Sequence, residues 1–398
     1  MIRSYKYRAY PTEAQRASID HALGTNRFLY NCALEERITY YKRENKGLSF
    51  AKQSAQLPAI KKEFPGMFAN VYSQTSQQTL MRLDVSFKAF FKGKGFPRFK
   101  SAKRFKSITF PQSNLMGAAG AKCLQNGNFD IFGIGELKTI MHRPFEGRCL
   151  QVMLKKEDNL YFIIMICELQ QPTVVQQGDP QINAIDLGLK TFIVMDDGTS
   201  FHHPKPWKTS KEKLTYQQRK LALKKRGSVS RKKALSALQK TSRHIANIRD
   251  DWQHKTANHL IKKSDILFVE KLASQEMIIK ASKNKAAFGQ PKPENISEAA
   301  WGSFAQKLVY KAESAGKQVV FVNPKNTSKC CSNCQEINKE LTLKDRIYSC
   351  HYCGAIMDRD NNAAINIKWI GTIQAGILFG GLPNKNLPEN FSLNGYRS

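Results

Sequence analysis

The sequence has no membrane span: nowhere in its 398 residues do about 18 apolar side chains run together. Its opening stretch, MIRSYKYRAYPTEAQ, lacks the apolar segment a secretory signal needs, so no leader is expected. Acid is scarce, with 32 Asp and Glu against 63 Lys and Arg, a net charge of +31. A surplus that large repels itself in a compact chain unless a polyanion neutralises it. Charge that only aids solubility is the plainer reading, but here the charge is clustered, and nucleic acid is the expected partner. The nine cysteines are an odd count and only four pair at short spacing, so a disulfide framework is not expected and a metal site is.

What is present suits packed cores: 41% hydrophobic and 10% aromatic residues, in a length that implies two or three domains. IRSYKYRAY (2–10) alternates as a strand, and Pro11-Thr12-Glu13 reads as a helix start. Apolar spacing near 3.6 then continues to about residue 92. Residues 88–106, KAFFKGKGFPRFKSAKRFK, carry eight basic residues and no acid, with Phe90, Phe91, Phe96, Phe99 and Phe105 between them. Lys92, Lys94, Arg98, Lys100, Lys103 and Arg104 are candidate phosphate contacts, and the rings can stack on bases or fill a core. From 107 to 170, short strands and glycine turns suggest a small β-barrel that the first strand can join.

The stretch 171–181 reads as a linker, after which INAIDLGLKTFIVMDDGT reads as strand, turn, strand. Residues 205–249 hold 15 Lys or Arg and a single acid, Glu212, as two basic helices broken near Gly227. Arg219, Lys224, Lys225, Arg226, Arg231 and Lys232 are candidates to track phosphates there. The strand SDILFVEKL, the helix EAAWGSFAQKLVYKAESAG and the strand KQVVFVNP follow. The tail from Gly371 is rich in Gly, Asn and Pro and reads as mobile.

Cys331-Ser-Asn-Cys334 and Cys350-His-Tyr-Cys353 stand 15 residues apart, within zinc-ribbon spacing. Two such knuckles complete a closed tetrahedral site for one structural zinc ion. Neighbouring Cys330 and His351 read as bystanders. Three acids occupy strand ends or helix starts: Asp186 after INAI, Glu270 after ILFV, and Asp360 before NNAAINI, with Asp358 and Arg359 beside it. Each has a plain reading as a turn, an ion pair with Lys271 or a helix cap. Together they suit two divalent ions, magnesium for oxygen ligands, in phosphodiester hydrolysis.

On YKYRAYPTEAQ, RFLYNCAL, GFPRFKS, AIDLGLKTF, VEKL, YKAESAG, TSKCCSNC and CGAIMDRDNNAAINI, residues 2–370 resemble the TnpB family of transposon-encoded, RNA-guided DNA endonucleases. The resemblance implies an α/β plus β-barrel multidomain chain. Its expected parts are a wedge β-barrel (1–10 and 105–172) with an inserted helical recognition domain (11–104). An RNase H-like, RuvC-type nuclease domain (180–325 and 355–370) would carry an inserted zinc ribbon (326–354), and 371–398 would be a flexible tail. The resemblance also implies catalytic magnesium ligands Asp186, Glu270 and Asp360, and zinc ligands Cys331, Cys334, Cys350 and Cys353. Arg359 would contact phosphate and Asp358 would stand close by.

Implied partners are a guide RNA from the transposon end, double-stranded target DNA with a short adjacent motif, and a transposase encoded by the same element. The setting implied is prokaryotic, cytoplasmic and nucleoid-associated. Tyr72, Gln74, Ser76, Gln77 and Gln78, on a polar helix, are candidates for reading that motif. The second functional reading is an RNA-guided repressor or accessory transposition protein that binds without cutting. Strand transfer by the chain itself is a third, and no tyrosine motif speaks for it.

Overall fold

The alternation of IRSYKYRA turns Tyr5, Tyr7 and Ala9 inward on strand β1 (Ile2–Ala9). In the computed structural model, which describes residues 1–111, 120–170, 179–283, 293–342 and 345–376, the chain forms two compact units, Met1–Gln170 and Gln171–Ser398. Most of the 171–181 stretch, and the tail beyond 376, lie outside the described residues.

In the first unit Thr12 and Gln15 form a reciprocal capping box, each side chain accepting the other's backbone N–H (3.3 and 3.0 Å). It starts helix α1 (Glu13–Glu44), which ends where Asn45 turns left-handed. The helical pattern is not continuous: α2 (Phe50–Ala55), α3 (Leu57–Glu63) and α4 (Pro65–Phe68) are short, and α5 (Ser73–Phe91) is the second long helix. A buried Thr79 hydroxyl donating to Asn26 Oδ1 (2.9 Å) and a half-buried Arg37–Asp84 pair (3.2 Å) fix α5 on α1.

Strands β2 (Ser107–Pro111), β3 (Ala121–Cys123), β4 (Phe129–Ile131), β5 (Gly135–Leu137), β6 (Thr139–Ile140), β7 (Arg148–Glu157) and β8 (Leu160–Glu168) follow. They build a five-stranded antiparallel sheet, β2-β7-β8-β1-β6, and a three-stranded one, β3-β4-β5. β1 thus lies inside the sheet, Ile2 opposite Glu168 and Ala9 opposite Tyr161. Among the described residues the edge strands β2 and β6 do not pair with each other, so strand pairing leaves this sheet open where the sequence suggested a barrel.

The second unit is built on β9 (Ile182–Leu187), β10 (Ile193–Met195) and β11 (Ser200–Phe201), then helices α6 (Pro206–Ala222) and α7 (Val229–Lys263). Next come β12 (Ile266–Glu270), α8 (Ser274–Lys283), α9 (Pro293–Ala299), α10 (Trp301–Ser314) and β13 (Gln318–Val322). The hairpin β14 (Ile347–Ser349) and β15 (Ile356–Asp358) leads into α11 (Arg359–Gln374). The sheet order is β11-β10-β9-β12-β13; β9, β12 and β13 run parallel and the other two are antiparallel.

Both faces of this sheet are covered, which is why ILFV is apolar without alternation. Ile185, Leu267 and Val269 pack with Leu260, Phe304 and Leu308 of α7 and α10, while Ala184, Phe268 and Val322 pack with Ile367 and Ile370 of α11. α11 runs past residue 371, where the sequence reading began a mobile tail. Gly371 is helical and buried because its missing side chain makes room for the Phe268 ring.

Candidate nuclease and metal sites

The parallel register sets Val269 beside Ile185, so one step on Glu270 stands level with Asp186 at neighbouring strand ends. Their half-buried carboxyl groups share a hydrogen bond. Burial, then the nearby charge of Asp360, raises Asp186 to about 7, and burial with the charge of Asp186 raises Glu270 to about 9. Two carboxyls in so dry a place hold a proton between them, because two bare charges would be too costly.

Asp360 lies in the first turn of α11 and is engaged otherwise. The Arg359 guanidinium donates to its Oδ1 through Nη2 (2.8 Å) and Nε (3.1 Å), and Arg346 Nη1 lies 3.8 Å from Oδ2. Asp358 is the helix cap, its Oδ1 accepting the N–H groups of Asp360 (2.9 Å) and Asn361 (3.0 Å). The helix-cap reading offered for Asp360 is met by Asp358 instead, and the Asp360 carboxylate takes no part in the cap. Arg359 is turned onto Asp360, with its side chain 13% exposed.

The four cysteines converge. Cys331 Sγ lies 3.7 Å from Cys353 Sγ, and Cys334 Sγ 3.5 Å from Cys350 Sγ. A tetrahedron with Zn–S bonds of about 2.3 Å has edges of about 3.8 Å, so the donor set fits zinc. Among the described residues this is the only group of three or more such ligands whose donor atoms all lie within 4.8 Å of one another; the three acids are neighbours but do not close that tightly. Cys330 turns away and donates to the Gln335 carbonyl (3.1 Å), and His351 is exposed, 3.9 Å from Glu340.

The asparagines of α11 drew no role from the sequence, yet they lock the site. Asn361 Nδ2 donates to the Met195 carbonyl (3.0 Å). Asn362 Nδ2 donates to the Cys330 carbonyl (2.7 Å), and Asn366 Nδ2 to the carbonyls of Cys330 (2.7 Å) and Thr327 (2.9 Å). The signal was there: three amides on one helix, two of them four residues apart, in an otherwise apolar run.

Lys92, Lys94, Arg98, Lys103 and Arg104 are exposed, as are Phe91, Phe96 and Phe99, while Phe105 is core; Phe96 also packs edge-on to Phe87 and Phe90. Lys100 is half-buried with its ammonium over the Tyr30 ring. Arg219, Lys225, Arg226 and Lys232 are exposed and Lys224 half-buried.

Arg231 differs from these: its Nη1 donates to the Leu221 (2.6 Å) and Lys224 (3.0 Å) carbonyls, closing the end of α6 at the Gly227 turn. Tyr72 and Ser76 also depart from the surface role suggested for them. Tyr72 packs on Phe110 and Phe132, and Ser76 is fully buried, since the helix face they share is the one turned to the core. Gln77 is exposed, and Gln74 and Gln78 are half-buried.

Three family descriptions match: "Probable transposase" (OrfB_IS605) on residues 165–280, a helix-turn-helix domain of OrfB_IS605 on 1–46, and the Cas12f1-like TNB domain on 301–367. A Streptomyces pristinaespiralis protein provisionally described as an RNA-guided DNA endonuclease is 29% identical, with 93% of this chain and 89% of that protein covered. InsQ of Escherichia coli K12, under the same provisional description, is 26% identical over 93% of this chain and 92% of its own. The CRISPR-associated endodeoxyribonuclease Cas12f1 of Sulfoacidibacillus thermotolerans is 26% identical over 58% of this chain and 56% of its own. These matches fall in both units and make the chain similar to the OrfB_IS605 transposase family, TnpB-like.

Proposed function

We propose that the chain is an RNA-guided DNA endonuclease of a transposon, cutting phosphodiester bonds at a RuvC-like site formed by Asp186, Glu270 and Asp360. The observation that carries this is the proton-sharing carboxyl pair at adjacent parallel strand ends, with a third acid beside it on α11. The order of three antiparallel strands followed by two parallel ones supports an RNase H-like reading of the sheet. The descriptions of the relatives support RNA guidance and DNA as substrate.

The all-oxygen donor set fits magnesium, and two such ions would supply an activated water and a stabilised leaving oxygen. Asp186 and Glu270 would give up their shared proton when they take a cation. Arg359 neutralises Asp360 until then, and its guanidinium would be released to contact a phosphate of the cut strand. The cysteine quartet would hold one structural zinc. Exposed Lys92, Lys94, Arg98, Lys225, Arg226 and Lys232 would follow RNA or DNA backbone.

The test is cleavage of a matched duplex by the chain carrying the RNA that co-purifies with it. Asp186→Ala should abolish cutting while RNA binding persists. Undiminished cutting by that variant would refute the site. Guided DNA binding without cutting in the wild type would favour the repressor or accessory reading.

A further inference from the structure

We propose that Asn362 and Asn366 are positioning residues that pass the hold of the cysteine-bound ion to Asp360, so that filling the ribbon site conditions the carboxylate site. The two amide groups converge on one acceptor, the carbonyl of Cys330, at 2.7 Å each. That residue immediately precedes the ligand Cys331. On the other side of the ligand, the N–H of Ser332 donates to Asn362 Oδ1 at 2.9 Å. The backbone on both sides of Cys331 is thus tied to α11. Both side chains are essentially closed to solvent, at 0% and 1% exposure, so no water replaces a lost bond.

The same helix start is held from the ribbon hairpin. Asp358 ends β15 and receives the N–H of Asp360 itself, and the Arg346 carbonyl receives the N–H of Arg359 (2.9 Å). On the opposite side, Asn361 ties α11 to the end of β10 and the Lys368 ammonium pairs with Asp196 (2.6 Å). Asp360 therefore stands where a helix is clamped between sheet and ribbon. An ion drawing the four sulfurs together fixes Cys331, and through it residues 330 and 332 and the first turns of α11. Linkage makes the effect reciprocal: weakening the asparagines weakens the ribbon's hold on its ion.

The experiment uses the full chain loaded with zinc. Zinc affinity is read by competition with a chromogenic chelator, and amide hydrogen exchange is read over 359–366 and over 266–270. Asn362→Ala and Asn366→Ser should each lower zinc affinity about tenfold, as loss of a partner around a metal ligand does. Asn361→Ala, which breaks only the tie to the sheet, should leave zinc affinity at the wild-type value. Stripping zinc from the wild type should speed exchange over 359–366 and spare 266–270.

Wild-type affinity in both ribbon-side variants, or unchanged exchange on stripping, overturns the proposal. Should Asn362→Ala fail to fold, Asn362→Asp, which keeps the shape and the acceptor but loses the donor, carries the same expectation. The link to magnesium rests on the proposed function: the magnesium needed for half-maximal cutting should rise in the variants that lose zinc affinity. An unchanged requirement overturns the coupling. A wild-type chain that never cuts refutes the nuclease reading instead, while the zinc and exchange measurements still decide the clamp.

Discussion

Replacing Gly371 by alanine sets two effects against each other. Alanine is the better helix former, worth about 1 kcal/mol in the interior of α11. Its Cβ, however, would lie 2.3 Å from Cδ1 and Cγ of Phe268 and 2.7 Å from Cε1, where carbon contacts rest near 3.5–4 Å. Phe268 is fully buried in a central strand and has nowhere to retreat. Overpacking of this kind costs about 1–3 kcal/mol, and forcing a ring off its rotamer adds roughly 1 kcal/mol. The clash should win by about 1–3 kcal/mol, lowering the melting temperature by several degrees for a unit of roughly 200 residues.

Thermal unfolding followed by circular dichroism reads the shift, and Gly371→Ala combined with Phe268→Leu should recover part of it. Because Phe268 lies two residues before Glu270, cutting should fall along with stability. A Gly371→Ala chain that melts at or above the wild-type temperature would refute the packing argument.

With divalent ions chelated, the raised carboxyls of Asp186 and Glu270 contribute stability that is complete below their ordinary range near pH 4. It is lost as pH rises through about 7 and about 9, so the chelated protein should melt lower at pH 9 than at pH 6, and Glu270→Gln should flatten that dependence. Cys334→Ser should abolish stoichiometric zinc, read by metal analysis of the purified chain. Lys225→Ala with Arg226→Ala should reduce the salt dependence of RNA binding by about one to two ions in a titration against ionic strength. Arg231→Ala should instead lower thermal stability by about 1–2 kcal/mol, because it leaves the end of α6 without its donor.

The sequence was legible where local chemistry dictates structure. The Thr12–Gln15 box, the turn at Gly227 between two basic helices and the two cysteine knuckles each carry their own signal within a few residues. Reading failed where a side chain's task lies far along the chain. Arg231 looks like any other basic residue of its helix until the carbonyls of α6 fold back onto it. Tyr72 and Ser76 sit in a polar-looking run, yet Tyr72 meets Phe110 and Phe132 and Ser76 is fully buried, which no spacing within the run reveals. The asparagines of α11 went unassigned for the same reason: their acceptors are more than 30 residues away. The tail was set too early because Gly371 looks like a breaker and is in fact a packing residue.

The place of β1 has a consequence for synthesis on the ribosome. Ile2 finds its partner only at Glu168, and β1 lies between β8 and β6. At about 5–20 residues per second, the first strand emerges on the order of ten seconds before the strand that completes it. Over that interval α1 to α5 can form from local contacts, while β1 waits as an open edge whose inward side is Tyr5, Tyr7 and Ala9. Its outward side carries Lys6 and Arg8, and charge on that side keeps nascent chains from pairing through the edge.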